Sequence, residues 1–248
     1  IPVSSTGHMI LVGDLINFKG TFAKLFEIVI QLGAILAVVV IYWDKLYNSV
    51  KGIFSPDLKG LRFWINIVVA AIPAAILGFL FDDFIDEKLF NSFTVALALV
   101  VGGILMIIIE NKYRKKNKTR CVDNIRLRQS LLVGVFQCLA LWPGMSRSAS
   151  TIMGGWIAGF SSVVAAEFSF FLAIPMMVGA SGLKIIKTGL VMTSVQFIAL
   201  VVGFVVAFIV SLIVIEKFIK FLQRKPMRIF AIYRILIGVI LLITAIVK

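Results

Sequence analysis

Two short polar segments of the sequence combine residue types that can do chemistry. The first, IPVSSTGH at positions 1–8, holds the single histidine of the chain, His8, with Ser5 three residues and Ser4 four residues before it. If a helix begins near Thr6, either hydroxyl lies on the face of the imidazole. A serine beside a histidine is the minimum for an activated nucleophile, and a histidine can also act alone as nucleophile or general acid–base. A lone histidine is more often structural, but its position at a helix break favours a chemical role.

The second segment, WPGMSRSAST at positions 142–151, places a fixed positive charge, Arg147, just after a Pro-Gly break. A guanidinium among hydroxyls at a helix N-terminus, where backbone N–H groups are free, is typical of a phosphate-binding site. The alternative is a structural Arg147 that pairs with a buried carboxylate such as Glu167. The hydroxyls that bracket the arginine belong to Ser146, Ser148, Ser150 and Thr151.

Two glutamates, Glu27 and Glu167, follow the two polar segments at matching positions, early in apolar stretches. Carboxylate oxygens are common metal ligands, so these residues could hold a metal ion. They could instead orient Arg147 or His8, or be buried structural acids that are neutral by protonation. The sequence leaves these alternatives open.

The composition indicates what kind of protein positions these residues. Of the 248 residues, 60% are apolar and 21 are phenylalanines, and the mean hydropathy is +1.06. Soluble domains have roughly 45–50% apolar residues, so we predict an integral membrane protein. A net charge of +13 would suggest nucleic acid for a soluble chain, but basic residues collect in cytoplasmic loops of membrane proteins, so we expect no nucleic-acid partner. Cys121 and Cys138 form no CxxC pattern and are expected to be reduced.

Six apolar segments are long enough to span a bilayer, which takes about 20 residues. Pro73 and Pro175 lie inside two of them, and prolines are tolerated in membrane helices as kinks. The six predicted spans are Phe22–Trp43, Phe63–Phe81, Phe93–Ile109, Ala165–Leu183, Gln196–Ile215 and Ile229–Val247.

Basic residues predict the orientation of these spans. The segments Asp44–Arg62, Glu110–Gln129 and Glu216–Arg228 carry four, eight and five Lys or Arg, whereas the other two connections carry one and two. The positive-inside rule therefore places the three basic segments in the cytoplasm. For the connections to alternate between the two sides of the membrane, Ser130–Val164 must enter the membrane and return to the side from which it came. The apolar runs of this segment are too short to cross the bilayer. We predict a re-entrant helix-loop-helix hairpin with the arginine segment at its tip.

The two halves of the chain resemble each other at an offset of about 136–141 residues. In this alignment Pro2 lies opposite Pro143 and Ser5 lies opposite Ser146, and later segments match in the same order. The first half has three spans, an odd number, so the second half begins from the opposite side of the membrane. This pattern predicts an inverted-topology repeat, in which the site lies near the midplane between the repeats.

We therefore predict a single all-α membrane domain over residues 1–248, with six transmembrane helices and two re-entrant hairpins, the first of them truncated. Repeat 1 covers about 1–110, a basic cytoplasmic loop 110–129, and repeat 2 about 130–248. The tips Ser4–His8 and Gly144–Thr151 would meet between the repeats. The residues expected to bind substrate there are Ser4, Thr6, Gly144, Ser146, Ser148 and Thr151.

The motifs PVSSTGH and PGMSRSAST, with QCLALWPG, EFSFFLAIP and FAIYR, closely resemble those of the undecaprenyl-diphosphatase family of bacteria, also called UppP or BacA. The similarity runs along the whole chain. It implies hydrolysis of undecaprenyl diphosphate to undecaprenyl phosphate and inorganic phosphate at the inner membrane, with the active site opening to the periplasmic side. That reaction recycles the lipid carrier of peptidoglycan synthesis. It also opposes bacitracin, which sequesters the diphosphate and is thus an indirect partner.

The resemblance also implies roles for single residues. Ser5 and His8 are similar to the catalytic hydroxyl and imidazole of the family, and Arg147 to its diphosphate-binding arginine. Whether Ser5 or His8 is the nucleophile stays open. The family has a (Glu/Gln)-xxx-Glu pattern just before PVSSTGH, thought to serve catalysis or to bind a divalent metal, Mg²⁺ or Ca²⁺. This sequence begins after that pattern, so we expect the chain as given to lack full activity.

Two other functions share some of these features. Inverted repeats with paired re-entrant hairpins are typical of transporters, so the alternative is a polyprenyl-phosphate transporter or flippase that uses the same site. A non-catalytic binding or scaffold protein would leave the convergence of serine, histidine and arginine unexplained. We expect membrane lipid to surround the chain. The sequence leaves open whether the protein forms a homodimer.

Overall fold

A computed structural model describes residues 1–18, 20–188 and 192–247. These residues form helices and connections, with one isolated bridge between Thr119 and Phe160 and no β-strand. Two 3₁₀ turns, Val122–Asn124 and Cys138–Leu141, and a π-helical turn, Ile85–Leu89, lie between α-helices. The α-helices are α1 (Ser5–Leu15), α2 (Thr21–Ile41), α3 (Trp43–Lys51), α4 (Lys59–Leu80), α5 (Asp82–Phe84), α6 (Ser92–Tyr113), α7 (Leu127–Gln137), α8 (Arg147–Ile157), α9 (Ser162–Thr188), α10 (Ser194–Arg224) and α11 (Arg228–Val247).

Five helices within the described ranges are long and apolar enough to cross a membrane: α2, α4, α6, α10 and the part of α9 from Ser162 to Leu183. Each overlaps one predicted span, and Pro73 and Pro175 lie inside α4 and α9 as predicted. The sixth predicted span forms α11, a helix of 20 residues that is not one of these five. The prediction of an all-α membrane protein is confirmed, as is that of two free cysteines.

The outer surface of the long helices is apolar. On α10, side chains such as Val202, Ile209 and Ile213 expose about half of their surface, and the same holds for Val68 and Ile76 on α4. Soluble monomers rarely expose large contiguous apolar patches. A bilayer covers such side chains with lipid tails, which places these helices at the lipid boundary.

The interior is built around the short helices α7 and α8, which pack against each other. α7 lies against α4, and α8 lies against α6 and α9. Ile152, Met153 and Trp156 of α8 have no exposed surface. Non-helical backbone at membrane depth is tolerated only where protein surrounds it or water fills a cavity. From Pro143 to Ser146 the chain between α7 and α8 is buried within the protein, and the segment from α7 to α8 has a helix-loop-helix form.

The start of α11 is fixed to the end of α6 by the buried Glu110. Its Oε1 accepts a hydrogen bond from the backbone N–H of Met227 at 2.7 Å and lies 3.6 Å from Nε of Arg114. Arg114 in turn donates to the carbonyl of Lys225 at 2.8 Å. Since α6 and α11 pack along each other, these bonds fix the register between the two helices.

We expect Glu110→Ala to destabilise the protein by about 2–3 kcal/mol, because it leaves the buried backbone N–H of Met227 without its acceptor and removes the carboxylate that pairs with Arg114. Thermal unfolding in detergent micelles measures the effect. The matched control is Glu216→Ala, which removes an exposed carboxylate 3.8 Å from Lys220 on α10 and should shift the melting temperature far less. Equal shifts for the two variants would contradict a structural role for Glu110.

Candidate active site

The helices α1 and α8 begin in the same way. Ser4 has a φ of 68° and its side-chain oxygen accepts the N–H of Gly7, while Ser146 has a φ of 69° and accepts the N–H of Ala149, both at 3.3 Å. A positive φ is strained for a residue other than glycine, and such strain is concentrated at functional sites. Each capping serine therefore holds its helix start in a defined, strained conformation.

The two helix starts match at an offset one residue larger than the one that the predicted repeat used. The sequence alignment placed Ser5 opposite Ser146, guided by Pro2 and Pro143, whereas the structure has Ser4 and Ser146 as the equivalent caps. The reason is that only the N-cap position can present its side chain to the N–H three residues later. Arg147 is therefore the counterpart of Ser5 and not of Thr6.

The two predicted tips lie against each other. The Ser148 hydroxyl is 3.4 Å from the carbonyl oxygen of Ile1, to which it donates. The first turn of α1 touches the Pro-Gly break: a Cβ added to Gly7 would lie 3.5 Å from Cα of Gly144. The structure thus brings together segments that are about 140 residues apart in the sequence.

The half-buried imidazole of His8 has a hydrogen-bond partner on each ring nitrogen. Nδ1 lies 2.8 Å from the carbonyl oxygen of Ser4, and Nε2 lies 2.8 Å from the hydroxyl of Tyr233 on α11. The Ser4 hydroxyl is buried and used as the cap of α1, and Thr6 is half-buried. Ser5 is exposed, which makes its hydroxyl the accessible one on this tip.

Arg147 is the first residue of α8 and is half-buried. Its Nη1 donates to the carbonyl of Ser169 on α9 at 2.9 Å, which leaves its other N–H groups for a ligand. The alternative partner, Glu167, accepts instead from the hydroxyl of Tyr42 at 3.4 Å. The guanidinium is therefore oriented by a backbone carbonyl rather than by an ion pair.

The hydroxyls around Arg147 fall into two groups. Ser150 and Thr151 are buried; Ser150 donates to the carbonyl of Ser146 at 3.0 Å, and Thr151 lies 2.7 Å from the hydroxyl of Ser169. Ser148 is half-buried and lies 3.3 Å from the Ser146 hydroxyl. The buried pair stabilises α8 and its contact with α9, and Ser148 is the hydroxyl nearest the opposite tip.

The structure separates Glu27 and Glu167. Glu27 lines a cleft of about 260 Å³ together with His8, whereas Glu167 contacts Tyr42 at the other end of α2. Fifteen residues of helix span about 22 Å, so one metal ion cannot bind both carboxylates. Within the described part of the chain, no three His, Cys, Asp or Glu side chains are grouped to hold a metal. The other residues that line the cleft are Met9, Val12, Gly13, Ile16, Phe18 and Phe26.

Two side chains of α11 that carry no site prediction reach the tips. Tyr233 contacts His8, and Arg234, with no exposed surface, donates from Nη2 to the carbonyls of Gly144 at 3.1 Å and Met145 at 2.9 Å. A Cβ at Gly102 of α6 would lie only 2.2 Å from this Nη2, so the glycine provides the space. An arginine inside an apolar segment is a functional candidate by default, and that signal was present at Arg234 as well as at Arg147.

Comparisons with known proteins show the family of the chain. A family model described as "Bacitracin resistance protein BacA" matches residues 1–240. The chain belongs to the BacA family. Among BacA-family relatives, "Undecaprenyl-diphosphatase" of Clostridium tetani (strain Massachusetts / E88) is 75% identical over 248 residues, which cover 100% of this chain and 92% of the relative. "Undecaprenyl-diphosphatase 2" of Clostridioides difficile (strain 630) is 58% identical over 254 residues, covering 99% and 89%. The family resemblance deduced from the motifs is confirmed, and the BacA match includes both tips and Tyr233 and Arg234 of α11.

We expect Gly144→Ala to disrupt the break between α7 and α8. Gly144 has a φ of 100°, which is strained for alanine, and an added Cβ would lie 2.5 Å from the carbonyl oxygen of Val95. The substitution therefore costs free energy both through backbone strain and through a steric clash. Together they should cost about 2–4 kcal/mol of stability. The melting temperature in micelles measures the loss. Gly179→Ala on α9 is the control, since its added Cβ meets nothing within 4 Å; a similar loss there would refute the reasoning.

Proposed function

We propose that this protein hydrolyses undecaprenyl diphosphate to undecaprenyl phosphate and inorganic phosphate. The observation that carries the proposal is the meeting of a serine–histidine tip with an arginine tip at the starts of α1 and α8. The BacA-family relatives from Clostridium tetani and Clostridioides difficile bear the name of this activity. The reaction recycles the lipid carrier for peptidoglycan synthesis and thereby confers resistance to bacitracin, which acts through the shared lipid diphosphate.

The arginine tip supplies the groups that bind the diphosphate. Arg147 keeps N–H donors beyond the one used on Ser169, and a guanidinium matches phosphate oxygens as a bidentate fork. The first backbone N–H groups of α8 have no partner within the helix, and the helix dipole adds positive charge at this end. Ser148 adds a hydroxyl between the tips. These groups favour the negative charge that phosphoryl transfer spreads over the phosphate oxygens.

The serine–histidine tip supplies the attacking group. In one route the exposed Ser5 hydroxyl attacks the terminal phosphorus and passes its proton to His8, and undecaprenyl phosphate leaves as the phosphorus–oxygen bond breaks. Water then cleaves the phosphoserine to release inorganic phosphate, with the imidazole as general base. In the other route, His8 itself attacks. The two routes differ in which residue carries the phosphoryl group, and trapping that residue distinguishes them.

We place this site within the membrane, between inverted repeats. The matched starts of α1 and α8, each of 11 residues and each followed by a long helix, support the repeat. The packing of α6 along α11, the last helix of each half, supports it further. With α11 as the sixth span and both tips re-entrant, the basic segments lie in the cytoplasm and the site opens to the outer side of the bacterial inner membrane. A lipid substrate reaches such a site sideways from the bilayer.

A divalent cation, Mg²⁺ or Ca²⁺, remains part of the proposal on the basis of family resemblance. The described residues do not assemble a cation site of their own, and Glu27 is the only one of the two proposed acids beside His8. The family's (Glu/Gln)-xxx-Glu segment would supply the main ligands. No step of the chemistry above is derived from the ion.

Release of inorganic phosphate from undecaprenyl diphosphate by the purified full-length protein tests the function. The preparation should include the (Glu/Gln)-xxx-Glu segment and a supply of Mg²⁺ or Ca²⁺. We expect steady release with multiple turnovers. Binding of the lipid without any release of phosphate would overturn the hydrolase proposal and favour a polyprenyl-phosphate carrier with the same site.

We expect Arg147→Lys to lower kcat/KM by roughly 10–100-fold, because a single ammonium cannot both keep the bond to Ser169 and grip phosphate as a fork. Phosphate release measures the loss. Arg128→Lys, an equally conservative change at an exposed position of α7, should retain full activity. Near-normal turnover of Arg147→Lys would return Arg147 to a structural role.

We expect chelation by EDTA to abolish phosphate release, and added Mg²⁺ or Ca²⁺ to restore it. The same titration with Glu27→Gln reports whether this acid contributes to the cation site. A higher cation concentration for half-maximal activity in that variant is the expected result, because a carboxylate beside His8 is lost. Full activity in EDTA would contradict the cation requirement.

A further inference from the structure

Tyr233 on α11 contacts the imidazole of His8, and the chemistry proposed above gives this tyrosine no role. Its hydroxyl lies 2.8 Å from Nε2 of His8, and the two rings are nearly parallel, with an interplanar angle of 7° and centroids 5.6 Å apart. The residues are separated by 225 positions in the sequence. The contact is therefore a product of the tertiary fold and not of local helix geometry.

The partners of the two ring nitrogens determine which one carries the fixed proton. A backbone carbonyl oxygen only accepts, so Nδ1, at 2.8 Å from the Ser4 oxygen, is the N–H donor. In the neutral ring Nε2 then holds the lone pair and accepts the O–H of Tyr233. In the protonated ring the Nε2–H donates to the phenol oxygen instead. Tyr233 can thus stay bonded to Nε2 in both protonation states.

Arg234, the next residue of α11, holds this part of the helix in place and with it Tyr233. Arg234 is fully buried and bonded to the carbonyls of Gly144 and Met145, at the start of the arginine tip. Adjacent residues of α11 therefore hold one tip each, His8 through Tyr233 and the Pro-Gly break through Arg234. This arrangement places the imidazole in a defined position relative to the guanidinium of Arg147.

We propose that Tyr233 is a positioning residue for His8: its hydroxyl holds Nε2 as the reactive nitrogen and accepts a hydrogen bond from it once the imidazole is protonated. The inference rests on the proposed function and deepens it. The Tyr233 hydroxyl occupies the single lone pair of Nε2, so the phenol passes its proton to Nε2 as it takes up the proton of the nucleophile, and it changes from donor to acceptor. The resulting bond is charge-assisted, and such bonds are stronger than neutral ones. The stabilisation is therefore greatest in the step that forms the imidazolium.

The first test is nitrogen-15 NMR of the imidazole. His8 is the only histidine among residues 1–248, so this chain, labelled with nitrogen-15 histidine and freed of any affinity tag, gives one imidazole signal set. At a pH where the ring is neutral, we expect the proton on Nδ1 and a lone-pair shift for Nε2. Tyr233→Phe should move the Nε2 resonance and leave Nδ1 nearly unchanged. A proton on Nε2, or an Nε2 resonance that ignores the substitution, would overturn the assignment.

The second test is kinetic. We expect Tyr233→Phe to lower kcat about tenfold with KM within about twofold, because the lost hydroxyl acts on the imidazole and not on substrate binding. Tyr47→Phe removes a hydroxyl of similar exposure from α3 and should leave both constants unchanged. The melting temperatures of both variants should match wild type, which separates positioning from folding.

The outcomes separate this inference from the function on which it rests. An inactive wild-type protein would overturn the hydrolase proposal and the positioning role with it. Active wild type with an unchanged kcat for Tyr233→Phe would overturn the positioning role alone. A fall in activity carried by KM, or matched by lost thermal stability, would likewise overturn it, because it would assign Tyr233 to substrate binding or to packing.

Discussion

The hydrogen bonds from the buried Arg234 guanidinium to the carbonyls of Gly144 and Met145 are the interaction on which the site depends. A turn between two short helices exposes backbone groups that lipid cannot satisfy. The Arg234 guanidinium of α11 donates hydrogen bonds to both carbonyls of this turn. Gly102 of α6 has no side chain that would clash with the guanidinium. The break can then remain buried among helices, with the start of α8 directed at the other tip.

The paired helix starts follow from the same constraint. Free N–H groups at the start of a buried helix need acceptors, and the serine caps satisfy only one N–H of each helix. The two helix starts lie against each other, through Ser148 and Ile1 and through Gly7 and Gly144. An anion supplies what the remaining N–H groups lack. In the proposed function, this backbone geometry contributes to phosphate binding, and the serine and histidine side chains add the reactive groups beside it.

Much of this architecture could be predicted from the sequence because the relevant signals are local. Spans follow from the length of apolar runs, and the two tips from polar residues beside Pro and Gly. The contacts of Tyr233 and Arg234 join residues 89 or more positions apart, and no local pattern reveals such packing. The predicted repeat placed Ser5 opposite Ser146 because matching prolines were aligned, whereas the serines that cap the two helices are Ser4 and Ser146. Likewise, the matching sequence positions of Glu27 and Glu167 did not reveal that the two side chains lie in different surroundings, one in the cleft with His8 and the other against Tyr42.

The length of α10 has a consequence for the shape of the protein beyond the bilayer. Its apolar stretch, Ser194–Ile215, spans about 33 Å, close to the roughly 30 Å thickness of the hydrocarbon core. The remaining nine residues, Glu216–Arg224, extend the helix about 13 Å further, with Phe218 and Leu222 buried in the core and Lys217, Lys220 and Arg224 exposed. The end of α10 is therefore held against the protein on one side and basic on the other, and acidic lipid headgroups would be attracted to the basic side at a membrane surface.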